Sequence, residues 1–111
     1  MSNSTLPASN DVSIVVINYN TGDLLLDCIE GCLQQAKEII LVDNASSDGS
    51  IEKTSQKFAG NSRLKFVHNH ANLGFAAACN IGEKEASSQF VLFLNPDCLM
   101  AENAVQELIN A

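Results

Sequence analysis

A short apolar run ends at two side chains whose oxygen atoms could act as metal ligands, and a proline separates the two. Residues 90–94 have the length and composition of a strand buried on both faces, and Asn95 and Asp97 follow them directly. Oxygen donors of this kind suit a hard divalent cation, which in turn can bind phosphate. Because ligands of open α/β sheets bind at the carboxyl ends of the strands, this position could hold a metal-bound phosphate compound.

The acidic balance of the chain supports a bridging cation. Six lysines and arginines stand against thirteen aspartates and glutamates, which gives a formal charge of −7 at pH 7. That charge repels nucleic acids and anionic membrane surfaces, so the sequence predicts no nucleic-acid partner. It would also repel a diphosphate, unless a divalent cation lies between carboxylate and phosphate.

Length and cysteine usage indicate one small domain with reduced thiols. The chain has 111 residues, of which 46% are apolar; we interpret residues 1–10 as a flexible leader and residues 11–111 as the domain. Four cysteines occur without a CxxC pair: Cys28, Cys32, Cys79 and Cys98. We interpret them as reduced, mostly buried thiols.

Without a signal-like segment or an apolar run of about 20 residues, the sequence predicts a cytoplasmic protein, with the inner face of the membrane as one place of action.

Apolar runs alternate with amphipathic stretches along the chain. Strands are predicted at residues 12–17, 39–42, 64–67 and 90–94. Helices are predicted from residue 23 with Thr21 as N-cap, and over residues 51–58, 74–86 and 102–111. This alternation predicts parallel pairing in a layered α/β sandwich, with the strand-to-helix loops gathered on one edge. The loops at residues 18–20, 43–48, 68–72 and 95–97 should therefore be neighbours.

Four ordered blocks of sequence carry a more specific signal. They are VSIVVINYN (residues 12–20), IILVDNASSDGS (39–50), the stretch 72–82 that begins NLGF, and LNPD (94–97). Together they closely resemble the family 2 glycosyltransferases. The resemblance covers residues 11–111 and implies the nucleotide-sugar-binding, N-terminal half of a GT-A fold, a Rossmann-like three-layer sandwich with a mostly parallel sheet.

The resemblance also implies an activity. The donor would be a nucleoside-diphosphate sugar, with a UDP- or dTDP-sugar favoured, and the sugar would pass to an acceptor hydroxyl with inversion. The acceptor, a glycan or a lipid, is not identified by the sequence, and the possibility of a homo-oligomer stays open. In this family the catalytic carboxylate follows the metal-binding strand, in sequence that would lie beyond Ala111. We therefore expect a donor-binding half that transfers little or no sugar by itself.

Individual side chains gain roles from the same resemblance. Asn18 and Tyr19 match positions that pack around the nucleobase, with the Tyr19 ring as a flat face. Asp43 and Asn44 match a paired acidic position that contacts base and ribose, here with an amide as the second member. The alternatives are an exposed loop tyrosine at position 19 and a turn-stabilising role for Asp43 and Asn44.

The motif at residues 95–97 occupies the place of the family's DXD motif. The resemblance implies that Asp97 coordinates Mg2+ or Mn2+ bridging the diphosphate oxygens, and that Asn95 lies at the donor. Mg2+ often takes only one or two protein carboxylates besides phosphates, so Asn95 in place of the first aspartate need not abolish coordination. Alternatively, Asp97 caps a following helix.

Several other polar or small residues have simpler explanations. We interpret Asp48 as a cap of the second helix. The resemblance implies that the stretch 72–82 includes a helix that borders the donor site, and the simpler explanation of Gly74 and Gly82 is close helix packing. His68 and His70 could in principle ligate a transition metal, but no third ligand lies nearby in the sequence, which favours polar loop residues.

Two other classes of protein remain as alternatives. A non-catalytic α/β binding or assembly module is compatible with the same fold. A receiver-like phosphoacceptor domain fits less well, because it needs acids after its first strand, where this chain has Asn18, Tyr19 and Asn20. A dinucleotide-dependent oxidoreductase is disfavoured, because it would need a glycine-rich turn after the first strand, where residues 18–22 contain one glycine.

Overall fold

The structure, a computed structural model, describes residues 11–97 and contains four strands and three helices. The strands are β1 (Val12–Asn18), β2 (Glu38–Asp43), β3 (Leu64–His68) and β4 (Phe90–Leu94). The helices are α1 (Leu24–Leu33), α2 (Ser50–Lys57) and α3 (Phe75–Glu85). The predicted leader and the predicted helix at residues 102–111 lie outside the described residues.

The four strands form one parallel sheet in the order β3-β2-β1-β4. Asn18 pairs with Asp43, and Asp43 with His68, so these strands end level with one another. We call this side of the sheet the carboxyl edge and the opposite side the amino edge. The chain winds outward from β1 to β3 and then returns to the other side of β1. The topological switch point of the sheet therefore lies between β1 and β4, where ligands of open α/β sheets bind.

Helices cover both faces of the sheet, which confirms the predicted three-layer sandwich. Side chains of α1 such as Leu25 and Ile29 pack with Val16 on one face, together with Ile51 of α2. On the other face, Ala78 of α3 packs against alternate strand residues, which are Val15, Ile17, Ile40 and Val42. β1 and β2 are buried along their whole length because apolar side chains leave them on both sides.

The third helix approaches the sheet closely at Gly82. A Cβ atom at this position would clash with Val15 Cγ1 and lie 3.0 Å from Val42 Cγ2. The interpretation of Gly82 as a close-packing residue is confirmed, because no side chain fits between α3 and the strands here. The same interpretation of Gly74 was wrong, since a Cβ atom there would meet no other atom within 4 Å.

Two other local predictions were wrong. The apolar run of β4 does not form a strand buried on both faces: β4 lies at the edge of the described sheet, and Phe90 and Phe93 are each 39% exposed. Thr21 does not cap α1, which begins only at Leu24. The Thr21 hydroxyl instead donates a hydrogen bond to Asn18 Oδ1 within the loop.

A buried carboxylate joins the strands at the amino edge. Glu38 Oε2 accepts hydrogen bonds from Ser13 Oγ at 2.7 Å and from Ser87 N at 2.6 Å, while Lys65 Nζ lies 2.9 Å from Oε1. Burial alone would raise the pKa of Glu38, but the hydrogen bonds from Lys65, Ser13 and Ser87 outweigh it and lower the pKa to about 2. Glu38 thus links β2 to β1, to β3 and to the segment that leads into β4.

The three cysteines of the described region are free, with Cys28 and Cys32 buried in α1 and Cys79 half-buried. Cys98 lies outside the described residues. None of the helices within residues 11–97 is long and apolar enough to cross a bilayer.

Candidate functional site at the carboxyl edge

Asn18 is the buried centre of the polar network at the carboxyl edge. Its side-chain amide Nδ2 lies 3.0 Å from Asp43 Oδ1 and 3.0 Å from Ser50 Oγ. It also lies 3.2 Å from Ser46 Oγ. Because Asn18 has no exposed surface, its side chain joins the end of β1 to the β2–α2 loop and to the start of α2. Its implied contact with a nucleobase stays a prediction, and these partners favour a positioning role.

Asp43 shapes the loop that follows β2. Its Oδ1 accepts hydrogen bonds from Asn18 Nδ2 and from Ser46 Oγ, the latter at 2.6 Å, and its Oδ2 accepts one from Ser46 N at 3.1 Å. The turn-stabilising role considered for this residue is therefore present. A carboxylate oxygen can accept two hydrogen bonds, so Oδ2 keeps acceptor capacity beyond its bond to Ser46 N.

Asn44 connects three segments of backbone. Its backbone N–H donates to Asn18 O at 2.9 Å, and its side-chain Nδ2 donates to Gly74 O at 3.2 Å. Its Oδ1 accepts a hydrogen bond from Asn69 Nδ2 at 2.8 Å. Asn44 is only 2% exposed, so its side chain is occupied inside the protein rather than turned to solvent.

Asp48 binds the start of α2 and the β1–α1 loop at once. Its Oδ1 accepts hydrogen bonds from Ser50 N and Ser50 Oγ, at 3.0 and 2.6 Å, and its Oδ2 accepts one from Gly22 N at 2.8 Å. The hydrogen bond from the Ser50 hydroxyl is the main reason that the pKa of Asp48 is lowered. Gly49, with φ of +82°, occupies the N-cap position itself, so Asp48 contacts the first helical amide from one position earlier.

Exposed side chains flank the switch point between β1 and β4. Tyr19 follows β1 and is 49% exposed. Leu94, the last residue of β4, pairs with Val16, so the exposed Asn95 and Asp97 emerge at the same carboxyl edge as Tyr19. The structure thus gathers all six predicted site residues on this edge, with Asn18, Asp43 and Asn44 buried and the other three exposed.

The oxygen donors of Asn95 and Asp97 fit a cation that is held only partly by protein. Within residues 11–97 no group of three or more His, Cys, Asp and Glu side chains could enclose a metal ion. A single exposed carboxylate suits the binding mode in which Mg2+ takes one or two carboxylates and completes its shell with phosphate and water.

His68 is exposed and stacks on Phe66, with ring centroids 6.1 Å apart, which suits a polar loop residue.

Comparison with known proteins then decides the family. Residues 13–111 match the sequence profile of Glycosyl transferase family 2. The chain belongs to this family. It is 34% identical over 100 residues to the glycosyltransferase GlyG of Streptococcus pneumoniae serotype 4, an alignment that covers 87% of this chain and 33% of GlyG. It is 32% identical over 96 residues to a poly-beta-1,6-N-acetyl-D-glucosamine synthase of Staphylococcus epidermidis, covering 84% of this chain and 23% of the synthase. The family 2 chain therefore spans about a third or less of the length of these two relatives.

Solved structures place the fold among GT-A glycosyltransferases. TarS of S. aureus superposes with a TM-score of 0.75 at 21% identity, over 87% of this chain and 30% of TarS, and has also been solved with UDP-GlcNAc. A mannosyltransferase from Pyrobaculum calidifontis, in complex with GDP-Man and Mn2+, superposes with a TM-score of 0.72 at 23% identity, over 87% of this chain and 31% of that protein. The described strands and helices correspond to the N-terminal part of this fold.

Proposed function

We propose that this family 2 chain binds a nucleoside-diphosphate sugar at its carboxyl edge through Mg2+ or Mn2+, and serves the donor side of an inverting sugar transfer to an acceptor hydroxyl. One observation carries the proposal: the strand order places Tyr19 and Asp97 at the ends of β1 and β4, the two strands that flank the switch point. The mannosyltransferase with GDP-Man and Mn2+ and the TarS complex with UDP-GlcNAc give further support.

The nucleoside would lie against Tyr19 and Asp43. The exposed Tyr19 ring supplies a flat face on which a base can stack. The remaining acceptor capacity of Asp43 Oδ2 suits the imide N–H of uracil or thymine, or a ribose hydroxyl. These contacts suit the UDP- or dTDP-sugar that we propose as donor.

The diphosphate would be held from the end of β4. Asp97, assisted by Asn95, would hold the cation, whose charge offsets the −7 formal charge of the chain. A bound divalent cation stabilises the negative charge that grows on the departing diphosphate. The residues of the chain would thus orient the donor and hold the leaving group.

Isothermal titration calorimetry with UDP, dTDP and GDP, each with and without Mn2+, tests this proposal on the full chain. Asp97→Asn removes the charge at the proposed metal ligand. Asp11→Asn is the matched control, since Asp11 is exposed and precedes β1 at the amino edge. We expect Mn2+ to strengthen UDP binding by about tenfold or more, and Asp97→Asn, but not Asp11→Asn, to abolish that gain. Nucleotide binding that ignores both Mn2+ and the Asp97 substitution would refute the metal role.

A further inference from the structure

The side chain of Asn44 joins the end of β2 to the connection between β3 and α3. Its Nδ2 donates to the carbonyl oxygen of Gly74, the residue that precedes α3, at 3.2 Å. Its Oδ1 accepts from Asn69 Nδ2 at 2.8 Å, and Asn69 N donates to Asp43 O at 2.9 Å. Both ends of the β3–α3 connection are therefore attached to the loop that follows β2.

The segment that Asn44 holds presents large apolar side chains at the carboxyl edge. Leu73 and Phe75 flank Gly74, and each is about half exposed, at 48% and 47%. Gly74 has φ of +84°, a conformation that residues with side chains rarely adopt. The bond from Asn44 to the Gly74 carbonyl thus fixes a turn that sets where these two side chains stand.

An aspartate could not replace Asn44 in this arrangement. Its oxygen facing the Gly74 carbonyl would be an acceptor opposite another acceptor, and the hydrogen bond would be lost at a buried position. The other carboxylate oxygen could still accept from Asn69. The two contacts of Asn44 therefore need an amide, with one donor and one acceptor.

We propose that Asn44 is a positioning residue for donor binding, which holds the β3–α3 connection in place at the carboxyl edge and does not itself contact the nucleotide. The inference rests on the proposed nucleotide-sugar function. It assigns to Asn44 a role different from that of the paired acid whose position it occupies: a residue that contacted base and ribose would tolerate aspartate, whereas a residue that holds the Gly74 carbonyl would not.

Three substitutions test the proposal: Asn44→Asp, Asn44→Ala and Asn69→Ala. Ser13→Ala is the control, because it also removes a hydrogen bond to a buried partner, Glu38, but at the amino edge. For each folded full-length variant, the affinity for UDP with Mn2+ is measured by calorimetry, and amide hydrogen exchange is measured over residues 72–76. We expect both Asn44 variants to weaken UDP binding by about fivefold or more and to speed exchange over residues 72–76 by about tenfold, with a smaller effect for Asn69→Ala. Ser13→Ala should change neither.

Two results would overturn the proposal. One is Asn44→Asp binding UDP as tightly as the unmodified chain, which would show that the bond from the Asn44 amide to Gly74 does not support donor binding. The other is unchanged exchange over residues 72–76 in both Asn44 variants, which would show that the side chain does not hold the turn. If the unmodified chain does not bind UDP at all, the proposed function fails, whereas the exchange data still decide the positioning role.

Discussion

Asn18 and Asp43 lie opposite each other at the ends of two paired parallel strands, with Asn18 Nδ2 3.0 Å from Asp43 Oδ1. The pair is buried, and it fixes the two loops that bear Tyr19 and Ser46. Asn18, in the centre of the polar network, thus orients the Asp43 carboxylate.

Replacing Asn18 should destabilise the whole fold. Asn18→Ala removes a buried amide and leaves Asp43 Oδ1 with the Ser46 hydroxyl as its donor. We expect a loss of about 2–3 kcal/mol in the free energy of unfolding, measured by urea denaturation followed by circular dichroism. Asn61→Ala is the control, since it removes only an exposed side-chain bond from Arg63 N and should cost less than about 1 kcal/mol. Equal effects of the two substitutions would contradict the central role of Asn18.

Tyr19 should contribute to nucleotide affinity through its ring and not through its hydroxyl. Tyr19→Ala should weaken UDP binding by about five- to tenfold, at the low end of measured base–aromatic stacking. Tyr19→Phe keeps the ring and should stay within about twofold of the unmodified chain. Because Tyr19 is half exposed, neither substitution should alter stability much. An unchanged affinity of Tyr19→Ala would place the base elsewhere.

Glu38 should make the free energy of unfolding depend on pH. Its pKa is lowered from 4.5 to about 2 in the folded protein, so the folded state binds protons less readily than the unfolded state. Its contribution is therefore fully present above about pH 4.5 and is lost as the pH falls towards 2. We expect Glu38→Gln to cost about 2 kcal/mol at pH 7, with the difference from the unmodified chain shrinking on acidification.

The control for Glu38 is an exposed carboxylate with a similar partner. Glu30 pairs with Lys57 at 2.9 Å, but both side chains are about half exposed. Glu30→Gln should change the free energy of unfolding by less than about 0.5 kcal/mol at any pH, because water screens the pair. A pH-independent effect of Glu38→Gln in urea denaturation series would show that the charge of Glu38 does not stabilise the sheet.

Gly82 should tolerate no side chain. In a helix interior, alanine is more favourable than glycine by about 1 kcal/mol. At position 82, however, a Cβ atom would clash with Val15 and push α3 away from the sheet. We expect Gly82→Ala to destabilise the protein by about 1–3 kcal/mol in urea denaturation. Ala76→Gly, on an exposed position of the same helix, should show only the propensity cost. A stabilised Gly82→Ala variant would mean that α3 packs less closely than the structure indicates.

The sequence was sufficient for the elements and for the edge on which the site lies. Mostly apolar runs bounded by polar turns predicted the bounds of all four strands to within one residue at each end, and both bounds of β4 were correct. An apolar run does not reveal whether a strand lies inside a sheet or at its edge, however. The partial exposure of Phe90 and Phe93 could therefore not be predicted from their side chains.

The partners of the buried polar residues could not be predicted. The acceptors bound by Asn18 lie 25 to 32 residues further along the chain, and the Ser87 that binds Glu38 lies 49 residues away. The residue type shows that the Asn18 and Asn44 side chains can donate and accept hydrogen bonds. Only the folded structure shows that their partners are other atoms of the protein. For Asn44, the folded chain shows side-chain contacts with Gly74 and Asn69, and the implied contacts with base and ribose stay a prediction.

The location of the bound cation is the most direct test of the account. Titration of the 15N-labelled chain with Mn2+ in the presence of UDP should broaden amide NMR signals near the ion, because Mn2+ is paramagnetic. We predict broadening at residues 19–20 and 44–46 and at Asn95 and Asp97 of the carboxyl edge, and sharp signals around Ser13, Glu38 and Ser87 at the amino edge. Asp97→Asn should abolish the pattern. Broadening centred on the amino edge, or a pattern at the carboxyl edge that survives Asp97→Asn unchanged, would contradict a donor site built on Asp97.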